Sequence, residues 1–320
     1  MAASQAWRRS IAASIILPCL FLAGGCKTSD DAAAAATQLT ATAKSLTDYY
    51  SALDTILAET DQLNAVQVVL YEIPYDAPTK AMIADTRAEI QKRAALAKDL
   101  TDLAQSFAKL TGSTASTDAS ASAAKLETEV ASLKPIKGKV SSDEQNVMKA
   151  AIGLVVTAIQ ERKEREAAKN ISQFATALDT FFAKEAPDYE SIDKDYAAIS
   201  SSLAKSLLQN RQTDPSGFFK VALDPYGLVP EVTDAKLRDK LEKLAEEQVD
   251  QKAQALQDSQ KSATDDMEKS LKQMSDRIKL VADDKPMEVR IAPITLANVE
   301  KWASQFSTTT PTTATATKAK

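Results

Sequence analysis

Histidine is absent from the 320 residues, which removes the commonest general base and the commonest metal ligand together. Cysteine is nearly absent. Cys19 and Cys26 both stand in the first tenth of the chain, so no internal disulfide can brace the remaining nine tenths, and stability must come from packing. Of seven glycines, the five beyond residue 26 (Gly112, Gly138, Gly153, Gly217 and Gly227) never take the spacing of a phosphate-cradling loop. Aromatic residues make up only 5%, which predicts modest buried surface per residue. Positive charge is also in deficit. The formal net charge is −5, and residues 1–25 hold Arg8 and Arg9 but no acid, so the remainder carries 37 basic against 44 acidic side chains. Phosphate backbones bind to clustered lysine and arginine, so a nucleic-acid partner is excluded. Imidazole chemistry is excluded with histidine, and thiolate or dithiol chemistry has no residue beyond position 26; no catalytic, cofactor-binding or metal-ligating residue is assigned. The expected class is not an enzyme.

Alanine, glutamate, lysine, glutamine and leucine dominate what is there, the composition of long helices. The most specific signal lies at the N-terminus. Arg8 and Arg9 precede an uncharged apolar run from Ile11 to Gly25, the layout of an export signal. At about 15 residues the run is shorter than the ~20 that a membrane-spanning helix needs. It ends Leu22, Ala23, Gly24, Gly25, Cys26, which resembles the lipobox of bacterial lipoproteins, with Ala23 standing where leucine is commoner. The resemblance covers under a tenth of the chain. It implies a signal peptide over 1–25, cleavage between Gly25 and Cys26, diacylglycerol on the Cys26 thiol, and a further acyl chain such as palmitate on the new amine. Two or three chains anchor stably where one does so only marginally. Lys27 and Thr28 come next in place of an inner-membrane retention acid, which implies an outer-membrane location facing the periplasm. The arginine pair lacks the flanking residues of a twin-arginine signal, which leaves the general secretory route.

Residues 26–36 read as a lipidated N-terminus and small, polar spacer merging into a helix, and 37–306 as the helical body. Leu39, Ala43, Leu46, Tyr50, Leu53 and Leu57 form one amphipathic stripe, predicted to reach about residue 65 before Pro74 and Pro78. A second helix is predicted from Thr79, with an a/d series Leu96, Leu100, Leu103, Phe107 and Leu110, stopping at Gly112. Residues 113–122 read as a polar linker, with a short helix over 123–133. Ser142 with Gln145 matches a capping box for a long helix carrying Val147, Ile152, Val155 and Ile159, then Ile171, Phe174, Leu178 and Phe181. Pro187 is expected to end it, with a further helix over 189–209. Residues 213–230, with three prolines and two glycines, mark a subdivision of the body. Thr233 or Asp234 is placed to cap a helix whose stripe runs from Leu237 to Val281, roughly 75 Å at 1.5 Å per residue. Met287, Val289 and Ile291 alternate like a strand, with 66–73 or 218–223 as partner. A last helix covers 296–306 around Trp302, and 307–320 reads as a disordered tail. The fold class predicted is all-α, an elongated antiparallel helical bundle or set of long coiled-coil hairpins, with a small β patch at one end.

Four patterns in the body bear on chemistry. Asp193 and Asp195 have the spacing that opens a calcium loop but lack its glycine and its twelfth-position acid. Ser202 and Lys205 fit SxxK without the accompanying KTG, so the spacing alone assigns nothing. Glu161–Glu166, ERKERE, is expected to leave its stretch of helix wet all round, as part of a protruding hairpin or a charged docking surface. Ala150–Ile159 is apolar on nearly every face and is expected to be buried in mid-bundle. The leading expectation is a membrane-tethered, non-catalytic scaffold, adaptor or inhibitor, attached through Cys26 and working through helical surfaces on an envelope protein. The alternative is a periplasmic carrier or sensor holding an apolar ligand between helices.

Overall fold

Apolar side chains recurring every three or four residues wind 27–71 into one helix, α1 (Lys27–Tyr71), and the same periodicity builds its neighbours. The computed structural model describes residues 27–109, 116–136, 142–161, 163–219, 224–227, 234–283 and 296–306. After α1 come α2 (Ala77–Lys109), α3 (Ser116–Ser132), α4 (Ser142–Gln160), α5 (Glu164–Gln209), α6 (Ala235–Ala282) and α7 (Ala297–Ser304), with 3₁₀ turns at Pro215–Phe219 and Asp224–Tyr226. The protein is all-α, and no strand occurs among the described residues. Residues 66–71, one proposed strand partner, are the helical end of α1, and Pro215–Phe219 is a 3₁₀ turn. Met287–Ile291 lies outside the described residues, as do residues 1–26, Gly112, Thr233 and 307–320.

Consecutive helices pack as hairpins, so α1 through α4 each lie against the next, α4 lies on α5, and α5 on α6. The chain then closes on itself, because α5, α6 and α7 all pack on α1. Side-chain pairs fix the directions. Thr42 meets Ser270 and Tyr49 meets Thr264, so α6 descends as α1 rises. Tyr50 meets Tyr189, Glu59 meets Tyr196, and Tyr71 meets Gln212, so α5 runs parallel to α1. At 1.5 Å per residue, the 45 residues of α1 span roughly 67 Å and the 48 of α6 roughly 72 Å. The ends of α1 and α5 and the start of α6 therefore share one end of the bundle, remote from Lys27.

Several boundaries differ from expectation, each for a physical reason. α1 starts at Lys27 and buries Ala35 and Ala36, so most of the expected spacer is helix. It runs past residue 65 to Tyr71, where Glu72 turns into the left-handed region at φ 52° and its amide still bonds Val68 O at 3.1 Å. Ser116–Ser122 is helical because Ala119 and Ala123 are small enough to pack fully buried where α3 meets α2 and α4. Gln145 Nε2 donates to Leu133 O at 2.7 Å and ties α4 back to the preceding connection; the Ser142 side chain, the other half of the expected capping box, lies outside what is described. Asp234 does cap α6, accepting from the Leu237 amide at 2.8 Å. The expected long helix through ERKERE breaks there instead of at Pro187. The chain turns between Glu161 and Lys163 from α4 into α5, with Lys163 Nζ bridging Glu161 at 2.7 Å and Glu166 at 3.4 Å. Within the apolar run of α4, Ala151, Ile152, Val155 and Ala158 are buried, but Leu154 is exposed, so the run is covered on one side only.

Pro187 lies inside the continuous helix α5. Proline removes the hydrogen bond to the carbonyl four residues back and costs about 3 kcal/mol relative to alanine. Pro187 and Ala183 both face solvent, so water reaches the freed carbonyl, while Glu185, Ala186 and Tyr189 are buried on the opposite face. Packing on both sides of the proline holds the helix together. Pro187→Ala should therefore stabilise the protein by about 1–2 kcal/mol, read as a higher urea midpoint with unchanged slope.

Candidate functional site

The most polar place in the core is built around one arginine. Arg93 on α2 is fully buried, as is Glu185 on α5. A guanidinium has five N–H donors in a fixed plane, and each has an acceptor here. Nε donates to Glu185 Oε2 at 2.7 Å and Nη2 to Glu185 Oε1. The second Nη2 donor takes Lys134 O at 2.8 Å, and Nη1 reaches Glu89 O at 2.8 Å and Glu89 Oε2 at 3.5 Å. Phe181 lies beneath the guanidinium, its centroid 5.4 Å from Cζ. Burial opposes the charge on Arg93, but the Glu185 carboxylate bonded to it holds its pKa above the ordinary arginine value. Tyr189 donates its hydroxyl to Glu185 Oε2, and the Tyr50 hydroxyl stands 3.3 Å from that of Tyr189. Burial, then Tyr50 and Glu185, push Tyr189 far above the usual phenol range, so it stays a neutral donor.

A layer of aromatic rings adjoins this network. Tyr49, Tyr50, Phe182 and Tyr189 pack edge to face or tilted at 5.4–6.4 Å between centroids, and Trp302 of α7 tilts onto Tyr49 at 5.0 Å. Phe306 continues the layer to Tyr196. The Tyr49 hydroxyl is satisfied by Thr264 at 2.8 Å and by Gln260 Nε2 at 3.1 Å.

Asp193 lies beside this layer. It is 1% exposed, and neither carboxylate oxygen has a hydrogen-bond partner. Trp302 is its polar neighbour, but the indole N–H makes no well-formed hydrogen bond either. Desolvation pushes the Asp193 pKa up to about 6, against a smaller lowering by Trp302. Asp195, two residues on, faces solvent, so the two acids point apart and cannot share a calcium ion. No group of three or more metal-ligating side chains occurs among the described residues. Ser202 is exposed and Lys205 pairs with Asp250 at 2.5 Å, which commits the lysine to α6. Gly25 and Cys26, the residues assigned to cleavage and lipidation, lie outside the described residues.

The surface offers two further features. A groove of about 300 Å³ runs between α1 and α2, lined by Leu57, Ile83 and Ala84 but also by Asp61, Lys80 and Arg87. Arg87 clamps Asp54 at 2.7 Å along its edge, and Tyr75 donates to Asp61 at 2.5 Å. The end of the same hairpin is apolar and exposed, with Val66, Val69, Leu70 and Ile73 facing water. Residues 66–73 are one of two expected partners for a strand at 287–291, and Val66 to Tyr71 lie instead on the end of a helix. The buried arginine was equally illegible, since a lone Arg in a helical sequence reads as a solvated charge. No helix among the described residues is long and apolar enough to cross a membrane. Comparison with protein families, with curated proteins and with solved structures finds no match to this chain.

Arg93→Ala strands a buried carboxylate and should cost about 3–5 kcal/mol, whereas Arg93→Met combined with Glu185→Leu should recover most of the loss in denaturant titration. Asp193 binds its proton more tightly folded than unfolded, so its contribution favours folding at low pH. Stability should fall as pH rises from 4 through 6, by roughly 2–3 kcal/mol from this group. Asp193→Asn should remove that part of the slope in pH-dependent thermal melts.

Proposed function

We propose that this chain is a lipid-anchored cell-envelope protein with a non-catalytic scaffold, adaptor or inhibitor role, exerted through its helical surfaces. The observation that carries the reading is an adjacency. The lipobox-like sequence ends at Cys26, and α1 begins at Lys27. A lipid on Cys26 then joins a rod roughly 67 Å long without intervening slack. Such a rod holds its far end at a set distance from its point of attachment, which suits a spacer or adaptor better than a diffusing carrier. The lack of histidine throughout the chain and the commitment of Lys205 and Arg87 to ion pairs fit a role played by surface and shape. Lys27 and Thr28 after the cysteine favour the outer membrane, with the body in the periplasm.

Mass spectrometry of the protein extracted from membranes, beside a Cys26→Ala variant, tests this directly. The expected N-terminal peptide begins at Cys26 and carries the added mass of diacylglycerol and an acyl chain, and the variant moves to the soluble fraction. A wild-type chain that begins at an unmodified residue and does not sediment with membranes would remove the anchor and the location with it.

A further inference from the structure

Six of the eleven large apolar side chains that stand exposed among the described residues belong to one hairpin end: Val66, Val68, Val69, Leu70, Ile73 and Met82. Val69 is 81% exposed and Leu70 39%. Val66, Val69 and Leu70 have the spacing i, i+3, i+4 on the last turns of α1, the start of the anchor pattern of a helix that seats in a groove of another protein, and Ile73 follows them in the connection. Water around so many neighbouring apolar groups marks an interaction surface rather than ordinary scatter.

Charge selects the partner. No lysine or arginine occurs between Lys44 and Lys80, while Asp48, Asp54, Glu59, Asp61, Glu72 and Asp76 fall in that interval. Asp54 is taken by Arg87, and Arg211, at the end of α5, is paired with Asp239 at 3.6 Å. Glu72 and Asp76 stand exposed beside the apolar anchors. Glu72 holds φ 52°, a conformation that glycine adopts at lower cost, and so sets a carboxylate at the rim of the patch. A helix that lies on a bilayer carries lysine and arginine to meet anionic headgroups, and this one has the opposite sign. A second copy would bring the Glu72 and Asp76 carboxylates of two tips together, which is repulsive.

We infer that the last turns of α1 and its connection to α2 dock into another protein, in an apolar groove rimmed by lysine or arginine. The inference rests on the adaptor reading for its setting and names the surface that does the adapting. The site lies at the far end of α1 from Lys27, so a chain held at residue 26 presents it away from the point of attachment.

The test places a photoreactive benzoylphenylalanine at Val69 of the full chain in its native cells, with Leu154 on α4 as a control position. The expected result is an adduct with a different protein whose crosslinked peptide carries lysine or arginine around apolar residues. Glu72→Lys combined with Asp76→Lys should lower its yield by roughly tenfold. The melting temperature of that variant checks that the fold is intact. Adducts with phospholipid, adducts at twice the chain mass, equal capture from Leu154, indifference to charge reversal, or no adduct at all would each overturn the inference. Mass analysis of Cys26 in the same extract separates the two proposals. A lipidated chain without the adduct refutes the docking surface alone. An unmodified Cys26 with a charge-dependent adduct refutes the anchor alone.

Discussion

The buried ion pair between Arg93 and Glu185 constrains the bundle more tightly than any apolar contact does. Leucine against leucine tolerates sliding, because dispersion contacts are short-ranged but not directional. A guanidinium withdrawn from water has no such tolerance, since every N–H left without an acceptor costs on the order of 1–3 kcal/mol or more. Arg93 finds its acceptors on α5, on its own helix at Glu89, and on the Lys134 carbonyl between α3 and α4. Glu89 in turn accepts from the Lys134 amide at 2.8 Å. One side chain thereby fixes the spacing of α2 and α5 and the path of the chain from α3 into α4. The pair adds little net stability over an apolar replacement; its effect is to make one arrangement much better than its neighbours.

The same logic runs along the seams between long helices. α1 and α6 pack together and bury Ala43, Leu46, Ala263, Met267 and Leu271 in the shared core, apolar residues that would pack nearly as well one turn out of register. Thr42 with Ser270 at 2.9 Å and Tyr49 with Thr264 and Gln260 would not, because a slip would part the first pair and leave the buried Tyr49 hydroxyl without its two partners. Thr176 with Ser275 at 2.6 Å adds a less buried hydroxyl pair between α5 and α6. A chain with only 5% aromatic residues concentrates several of them at one level, where Tyr49, Tyr50, Phe182, Tyr189 and Trp302 lock α1, α5 and α7 together. Asp193 sits against that layer, a carboxyl whose burial favours the protonated form.

Packing of this kind would serve the spacer or adaptor role proposed above. Long helices held in register by directional bonds keep their two ends at a set separation. The end remote from Lys27 ends α1 and α5 on strained left-handed residues, Glu72 and Arg211, and leaves apolar surface in water. The proximal end leads directly back to Cys26.

Much of the helical layout was legible because burial on one face imposes a period, and the stripes from Leu39 to Leu57 and from Ala263 to Ile278 record it directly. Local chemistry also announced the Asp234 cap, and the absence of histidine bounds the chemistry whatever the fold. Boundaries were legible only where local and tertiary preferences agree. Pro187 disfavours a helix locally, yet the helix persists because packing on either side outweighs one lost hydrogen bond; ERKERE suits a helix locally, yet the chain turns there because α4 must fold back on α5. Segment 116–122 reads as linker until Ala119 is seen buried. What the amino acids determined alone is therefore the class of structure and the residue types on hand, since periodicity and residue type are local properties. Which arginine enters the core, which carboxylate loses its water and which valines keep theirs were decided by the tertiary structure, because burial is a property of neighbours brought together from distant parts of the chain.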